Sequence, residues 1–261
     1  MDDGASGEKA EPVPPSVIRP TDEQSLALAC RLVREARYAA LSVTEPETGH
    51  PFASRVLTGT DVDGVPVILA SMLATHMKAI LADPRSALLF GEPGRGDPLA
   101  WPRITVRCAA EMIKHDSESD SRIRARFLRR HPKAKLYAGF RDFAFFRLVP
   151  KSASLNGGFG RAYNISGADL TIDSPLNDHI GKQELQIIEA LATAGPHVAD
   201  SLARHYFGEK TDNWYISGVD AEGIDLARKE RVRRIVLANR VFDPSGLIAE
   251  HLNVLKLCGK N

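Results

Sequence analysis

Residues 51–90, PFASRVLTGTDVDGVPVILASMLATHMKAILADPRSALLF, change their hydrophobic period twice. PFASRVLTGT and VPVILAS are short β-prone runs on either side of Asp61-Val62-Asp63-Gly64, which predicts a hairpin. Thr75 to Ala82 then reads as a short helix with Thr75 as N-cap, ended by Asp83-Pro84, and SALLFG returns to strand. A strand carrying Arg55 therefore meets a strand-to-helix junction whose first helical turn holds Thr75, His76 and Lys78. Free N–H groups and the positive end of the helix dipole favour an anion at such a junction, and Arg55 can add a bidentate contact. The same residues also fit an exposed strand arginine and an ordinary cap, because neither GxxxxGK[ST] nor a GxGxxG after a strand is present.

Working outward, Thr21-Asp22-Glu23-Gln24 reads as a capping box. Leu26, Ala29, Cys30, Val33 and Ala36 follow it as an apolar helical stripe, and the helix should end near Arg37. YAALSVTE and, beyond the Gly- and Pro-rich loop EPGRGDPLAWP, RITVRCAAEMI and DFAFFRLVP supply further strands. Between the last two lies the basic helix SRIRARFLRRHPKAKLYA. Arg122, Arg124, Arg126, Arg129 and Arg130 lack interleaved aromatics, so a solvated face is expected and not an RNA-binding surface. The acidic pairs Asp61/Asp63 and Asp220/Glu222 are likewise explained by hairpin turns and solvation. No serine has a GxSxG context.

The fold class that follows is α+β: a six-stranded antiparallel barrel with peripheral helices, then a smaller α+β domain. Residues 1–20 are acidic and proline-rich and are expected to be a disordered tail; residues 21–169 form the barrel domain and residues 170–261 the C-terminal domain. In the latter, Asn177 to Ala194, Pro196 to Phe207 and Asp243 to Leu257 read as helices, with WYISGVDAEGIDLA and RVRRIVLA as strands. LNGGFGRAY, residues 155–163, is a glycine-rich crossover between the two parts or part of a pocket. Its glycines would allow close backbone approach, Phe159 would be buried or stacked, and Arg161 is its candidate for an anionic ligand.

A net charge of +1 over 261 residues carries no footprint of a dedicated nucleic-acid binder. Cys30, Cys108 and Cys258 are widely spaced, so reduced thiols are expected, with neither a zinc site nor a disulfide framework. No apolar run approaches the roughly 20 residues of a membrane helix, and no secretory signal is read at the N-terminus, so a cytoplasmic protein without membrane attachment is expected.

The succession AALSV, residues 51–90 and RITVRCAAEMI resembles the FMN-binding split β-barrel of the pyridoxamine 5′-phosphate oxidase-like superfamily. The resemblance is closest to the HugZ-type branch of haem utilisation, through SMLATHMKAI, DPLAWPRITVRCAAEM, RFLRRHPKAKLYAGFRDFAFFRL, LNGGFGRAYNI, NDHI and GVDAEGIDLA. It implies a homodimer with a cofactor at the dimer interface. For FMN, it implies phosphate contacts from Arg55 and Thr75, with His76 and Lys78 as weaker matches and Arg103, Gly158 and Arg161 nearby. His76 stands where the oxidases have Arg, and Met77 where they have Lys. For haem, it implies an axial ligand near the C-terminus, which points to His251, and Arg161 near a propionate. His251, at the edge of the stripe Leu247, Ile248, Leu252 and Leu255, equally fits a partly exposed helical histidine. The role of His179 in Asn177-Asp178-His179 is left open.

Three functions follow from the resemblance. The first is an FMN-dependent oxidoreductase acting on a small, tetrapyrrole-related substrate. The second is a haem-binding or haem-degrading protein, and the third a cofactor-free dimeric binding module.

Overall fold

The computed structural model describes residues 18–193, 195, 197–237, 241, 243 and 246. The barrel elements are β1 (Ile18–Arg19), α1 (Glu23–Glu35), β2 (Tyr38–Thr44), β3 (Pro51–Thr60), β4 (Pro66–Ser71), α2 (Thr75–Ala82), β5 (Arg85–Phe90), β6 (Arg103–Met112), α3 (Glu118–Arg130), β7 (Phe143–Asn156) and β8 (Ala162–Ser166). They are followed by α4 (Asn177–Ala192), α5 (Val198–Phe207), β9 (Tyr215–Asp220), β10 (Gly223–Arg228) and β11 (Arg231–Val236).

Strands β7-β4-β3-β2-β5-β6 pair antiparallel in that order, and β6 pairs back onto β7, so the expected six-stranded barrel closes. Closure depends on the length of β7, which leans on β4 through Phe143–Arg147 and on β6 through Phe146–Asn156. A register shift at Arg107/Cys108 in β6 bends the pair, as a bulge does at a barrel corner. Beyond β7 the sheet continues into β8, and Ile18 and Arg19, which the sequence reading assigned to the tail, pair in parallel with β8.

Alternation along the strands sorts the side chains. Leu41, Val56, Ile68, Leu88, Ile104, Val106, Phe146 and Leu148 point inward and join Met77 and Ile80 of α2 in the barrel core. Each such burial contributes about 1.5–3 kcal/mol. Phe145, one residue from Phe146, faces the other way and packs with Ile123 and Phe127 of α3. A separate core holds Ile180, Ile187, Leu202, Trp214, Ile224, Leu226 and Ile235, where α4 and α5 cover the β9-β10-β11 sheet.

Several local expectations shift by a residue or change their role. The cap of α1 is Asp22, in a reciprocal box with Ser25, and Thr21 instead donates to the Asn164 carbonyl at 2.8 Å. Ala74, not Thr75, is the N-cap of α2, which has no side-chain cap. LNGGFGRAY is a hairpin turn between β7 and β8 and not a crossover into the second part, because Asn156 pairs with Ala162 and Gly157 donates to the Arg161 carbonyl. Phe159 is 70% exposed, neither buried nor stacked. Cys108 is buried, which pushes its thiol up to about 12, and Cys30 is partly buried.

The largest departure concerns the arginines of α3. Arg126 and Arg130 are buried, and Arg122 and Arg129 are partly so, which overturns the solvated-face reading. Arg126 pairs with Glu184 of α4 and donates to the Thr60 and Val219 carbonyls at 2.8 Å. Arg234 of β11 holds Asp220 at 2.6 Å and Asp225 at 2.9 Å, while Arg34 of α1 stands 3.6 Å from Asp220. Arg122 and Arg147 share Asp61. Asp61 and Asp220 stand in hairpin turns as read but are fully buried, so the solvation half of that reading fails for both. Burial alone would raise the Asp220 carboxyl, but Arg234, Arg34 and Arg126 hold it far below its ordinary range. Buried charges persist only when paired and hydrogen-bonded, and this network is how the second sheet docks on α1 and α3.

Candidate functional site

Arg55 lies on the outer face of β3, exposed, with its guanidinium 5.2 Å from the centre of the Tyr38 ring. The strand register carries that row across the sheet. Arg55 stands opposite Ala40, Ala40 opposite Leu89, Leu89 opposite Thr105, and Thr105 opposite Ser154. Directly opposed residues share a face, so Arg103, two positions from Thr105, is outward-facing like Arg55. β3 and β6 stand three strands apart either way round the closed barrel, so the two arginines leave it on opposite sides. Ala53, Ser42 and Ala87 form the adjoining row, which leaves this face shallow.

At one end of the row sits the junction of β4 and α2. His76 is half-buried, with Nδ1 3.1 Å from the Ser54 hydroxyl, and burial lowers its pKa so that the ring stays neutral at pH 7. Thr75 and Lys78 are exposed, and Leu73 is 82% exposed. Met77 is completely buried in the barrel core and cannot serve as a phosphate contact.

At the other end, Arg103 pairs in register with Asn156 and donates to the Leu99 carbonyl at 3.1 Å. Gly158, at φ +104, accepts no side chain, because a Cβ there would stand 2.8 Å from the Ala100 carbonyl oxygen. That close approach locks the β7–β8 turn, which carries Arg161, onto the β5–β6 loop that leads into Arg103. Leu99, Trp101 and Phe159 are exposed around them.

The predicted residues thus form two groups, Arg55/Thr75/His76/Lys78 and Arg103/Gly158/Arg161, on opposite sides of the barrel and not gathered in one cavity. His251 lies outside the described residues. Among the described residues, Arg55, Lys78, Arg103 and Arg161 have no ion-pair partner, in contrast to the arginines of the junction. The sequence reading missed Ser54 as a partner of His76, although Ser54 precedes Arg55 and its strand position was legible. A cleft of about 1170 Å³ lies elsewhere, between α1 and β11, and none of the predicted residues lines it.

A closed six-stranded barrel with a cationic and partly apolar outer face defines a split-barrel protein. The chain belongs to the CREG β-barrel family, whose model matches residues 20–171. It is 31% identical over 119 residues to the non-canonical heme oxygenase HOZ, chloroplastic, of Arabidopsis thaliana, covering 46% of this chain and 36% of that protein. It is 30% identical over 108 residues to the heme oxygenase HutZ of Vibrio cholerae, covering 40% of this chain and 60% of that protein. The matches therefore span less than two thirds of either relative. Among solved structures, Atu2129 of Agrobacterium tumefaciens, described as of unknown function, superposes with a TM-score of 0.78 at 29% identity, over 93% of this chain and 99% of that one. The heme binding protein of Mycobacterium smegmatis superposes with a TM-score of 0.53 at 24% identity, over 94% and 100%, and shares the fold.

Proposed function

We propose that this protein binds haem on the outer face of its barrel and handles it as an oxygenase-type haem protein. The observation that carries the reading is the outer face itself. It sets cations without ion-pair partners, Arg55 and Lys78 on one side of the barrel and Arg103 and Arg161 on the other, with exposed Leu89 on the outward row between them and exposed Leu99, Trp101 and Phe159 near the second pair. A flat tetrapyrrole with carboxylate substituents needs apolar cover for its plane and cations for its edge. Arg103 and Arg161 would hold the carboxylates at one end, or Arg55 and Lys78 at the other, while Leu89 and the small side chains of β2 and β3 would lie under the plane. The names of the Arabidopsis and Vibrio relatives support the same ligand. When bound, the haem iron would supply the oxygen chemistry, and the chain's part is to orient the ring and shield it from water. The shallow face leaves the ligand half-covered, which fits a second copy completing the site across a two-fold axis.

The split at residue 170 that the sequence suggested fits the two separate cores, and we keep it as part of this reading. FMN is the second reading, favoured by Arg55 beside the open first turn of α2. Met77, which stands where the oxidases have Lys, is buried in the barrel core, so that position offers the phosphate no contact and counts against it. No helix among the described residues is long and apolar enough to cross a membrane. Titration of the purified chain with ferric haem should give a shifted Soret band that saturates. Saturable quenching of FMN fluorescence without any Soret shift would favour the flavin reading instead.

A further inference from the structure

The cleft of about 1170 Å³ between α1 and β11 opens where the barrel meets the second sheet, the kind of junction at which small-molecule sites preferentially form. Ala27, Leu28, Arg31 and Arg34 line it from one face of α1, at helical spacing, and Phe207 and Val236 line it from the second part. Arg34 is 2% exposed, yet only its Nη2 makes a hydrogen bond, to the Leu170 carbonyl at 3.1 Å. Nη1 stands 3.6 Å from Asp220, beyond hydrogen-bond reach, and Nε has no partner. The guanidinium lies against Gly64, where a Cβ would collide with it, so its position is fixed. Burial, and after it the Arg234 charge, holds the Arg34 guanidinium below its ordinary value, whereas in spite of burial the carboxylates of the junction raise Arg126 and Arg234. A buried donor without an acceptor bears the desolvation of its group uncompensated, so Arg34 calls for a further acceptor. Arg31, one turn earlier on the same face, is exposed and has no ion-pair partner among the described residues. Asp169 and Asp173, which also line the cleft, are exposed carboxylates. Cations on α1, apolar side chains beside them and two carboxylates at the surface admit a ligand with a single negative charge and oppose a polyanion.

We propose that this cleft binds a small amphiphilic monocarboxylate, of the class of a medium-chain carboxylic acid, with its carboxylate towards Arg34 and Arg31 and its apolar body along Leu28, Phe207 and Val236. The charge match selects this occupant: a guanidinium short of acceptors beside apolar side chains. The site is separate from the outer face of the barrel and stands whether or not haem binds there.

The test titrates octanoate into the full chain, with octanol as its uncharged counterpart and pyrophosphate as a polyanion. Binding is read by calorimetry, and its place by alkylation of Cys30 with N-ethylmaleimide, followed by peptide mass spectrometry. Cys30 lines the cleft and is partly buried, whereas Cys108 is buried and serves as the internal control. Octanoate should slow alkylation of Cys30 saturably and leave Cys108 unchanged. Octanol should bind about tenfold more weakly, as the loss of one charge-assisted hydrogen bond requires, and pyrophosphate should not bind. Ala27→Trp, at an exposed position of α1 that lines the cleft, should abolish the heat of octanoate binding while the chain stays folded by far-ultraviolet circular dichroism. Equal binding of octanol and octanoate, binding of pyrophosphate, or no protection of Cys30 overturns the proposal, as does octanoate binding that survives in folded Ala27→Trp. Saturating ferric haem should leave octanoate binding intact. Displacement of octanoate by haem, together with loss of the Soret shift in Ala27→Trp, would make the cleft the haem site, which overturns the separate site and leaves haem binding itself standing.

Discussion

Arg55 and Arg234 both project from strands, and they have opposite fates. Arg234 is buried against Asp220 and Asp225, whereas Arg55 is exposed over the Tyr38 ring and makes no ion pair among the described residues. The same contrast separates whole regions. At the junction, Arg34, Arg126, Arg130 and Arg234 are consumed by carboxylates and carbonyls. On the outer barrel face, Arg55, Lys78, Arg103 and Arg161 are left over. Where cations are buried against carboxylates, charge builds architecture; where they are exposed without an ion pair beside apolar side chains, charge is available to a ligand. The contrast predicts that substitutions at the junction cost stability and spare ligand affinity, and that substitutions on the outer face do the reverse.

The largest effect is expected for Asp220→Ala, which leaves Arg234, Arg34 and Arg126 without their shared carboxylate. Breaking a buried pair by removing one partner costs about 3–5 kcal/mol, to be read from denaturant midpoints. A loss under 1 kcal/mol would mean that the network is slack and the contrast false.

His131 comes next. It is buried against Phe127 with Nε2 2.8 Å from the Thr58 carbonyl, and desolvation lowers its pKa from 6.5 to about 4. Its folded value is depressed, so between pH 6.5 and 4 the unfolded chain binds the extra proton. The stability that neutral His131 lends is complete above pH 6.5 and is lost as the pH falls towards 4. At 1.36 kcal/mol per pH unit, acidification across that window should remove about 3 kcal/mol, and His131→Asn should flatten the slope. Asp220 works over a lower range. Its carboxyl is held below its ordinary value, so its contribution is present above about pH 4 and is lost only under stronger acid.

Gly158→Ala should cost about 1–3 kcal/mol, since it places a Cβ against the Ala100 carbonyl in a backbone region that favours glycine. It should also displace Arg161, making it the one substitution here that moves both stability and haem affinity. Arg55→Ala is the smallest in stability, within about 0.5 kcal/mol. Its effect should be a weakened haem titration at an unchanged denaturant midpoint.

Much of the barrel was legible because its signals are local. Alternation marked β2 to β7, turn residues marked the hairpins at Asp61–Gly64 and Asp220–Gly223, and a capping pattern marked the start of α1 within one residue. The junction was not legible, because its partners are far apart in the chain. Nothing near Arg126 announces Glu184, and nothing in the Asp61 turn announces Arg122 and Arg147. A run of arginines without aromatics reads as solvated until a second sheet supplies carboxylates. The candidate site was half legible. Residue type and spacing singled out Arg55, Thr75, His76 and Lys78, whereas the opposition of Arg55, Ala40, Leu89 and Thr105, which runs half-way round the barrel towards Arg103, depends on register, which only pairing reveals. Met77 looked like a lost phosphate contact and is instead a core residue, as the inward side of a short helix demands.

The most direct test of the central claim is to equilibrate the purified chain with equal amounts of ferric haem and FMN, remove unbound cofactor by desalting, and record the absorption spectrum of the protein fraction. A retained Soret band without the flavin bands is the predicted result. A flavin spectrum without a Soret band, or a protein fraction free of both, would contradict the account.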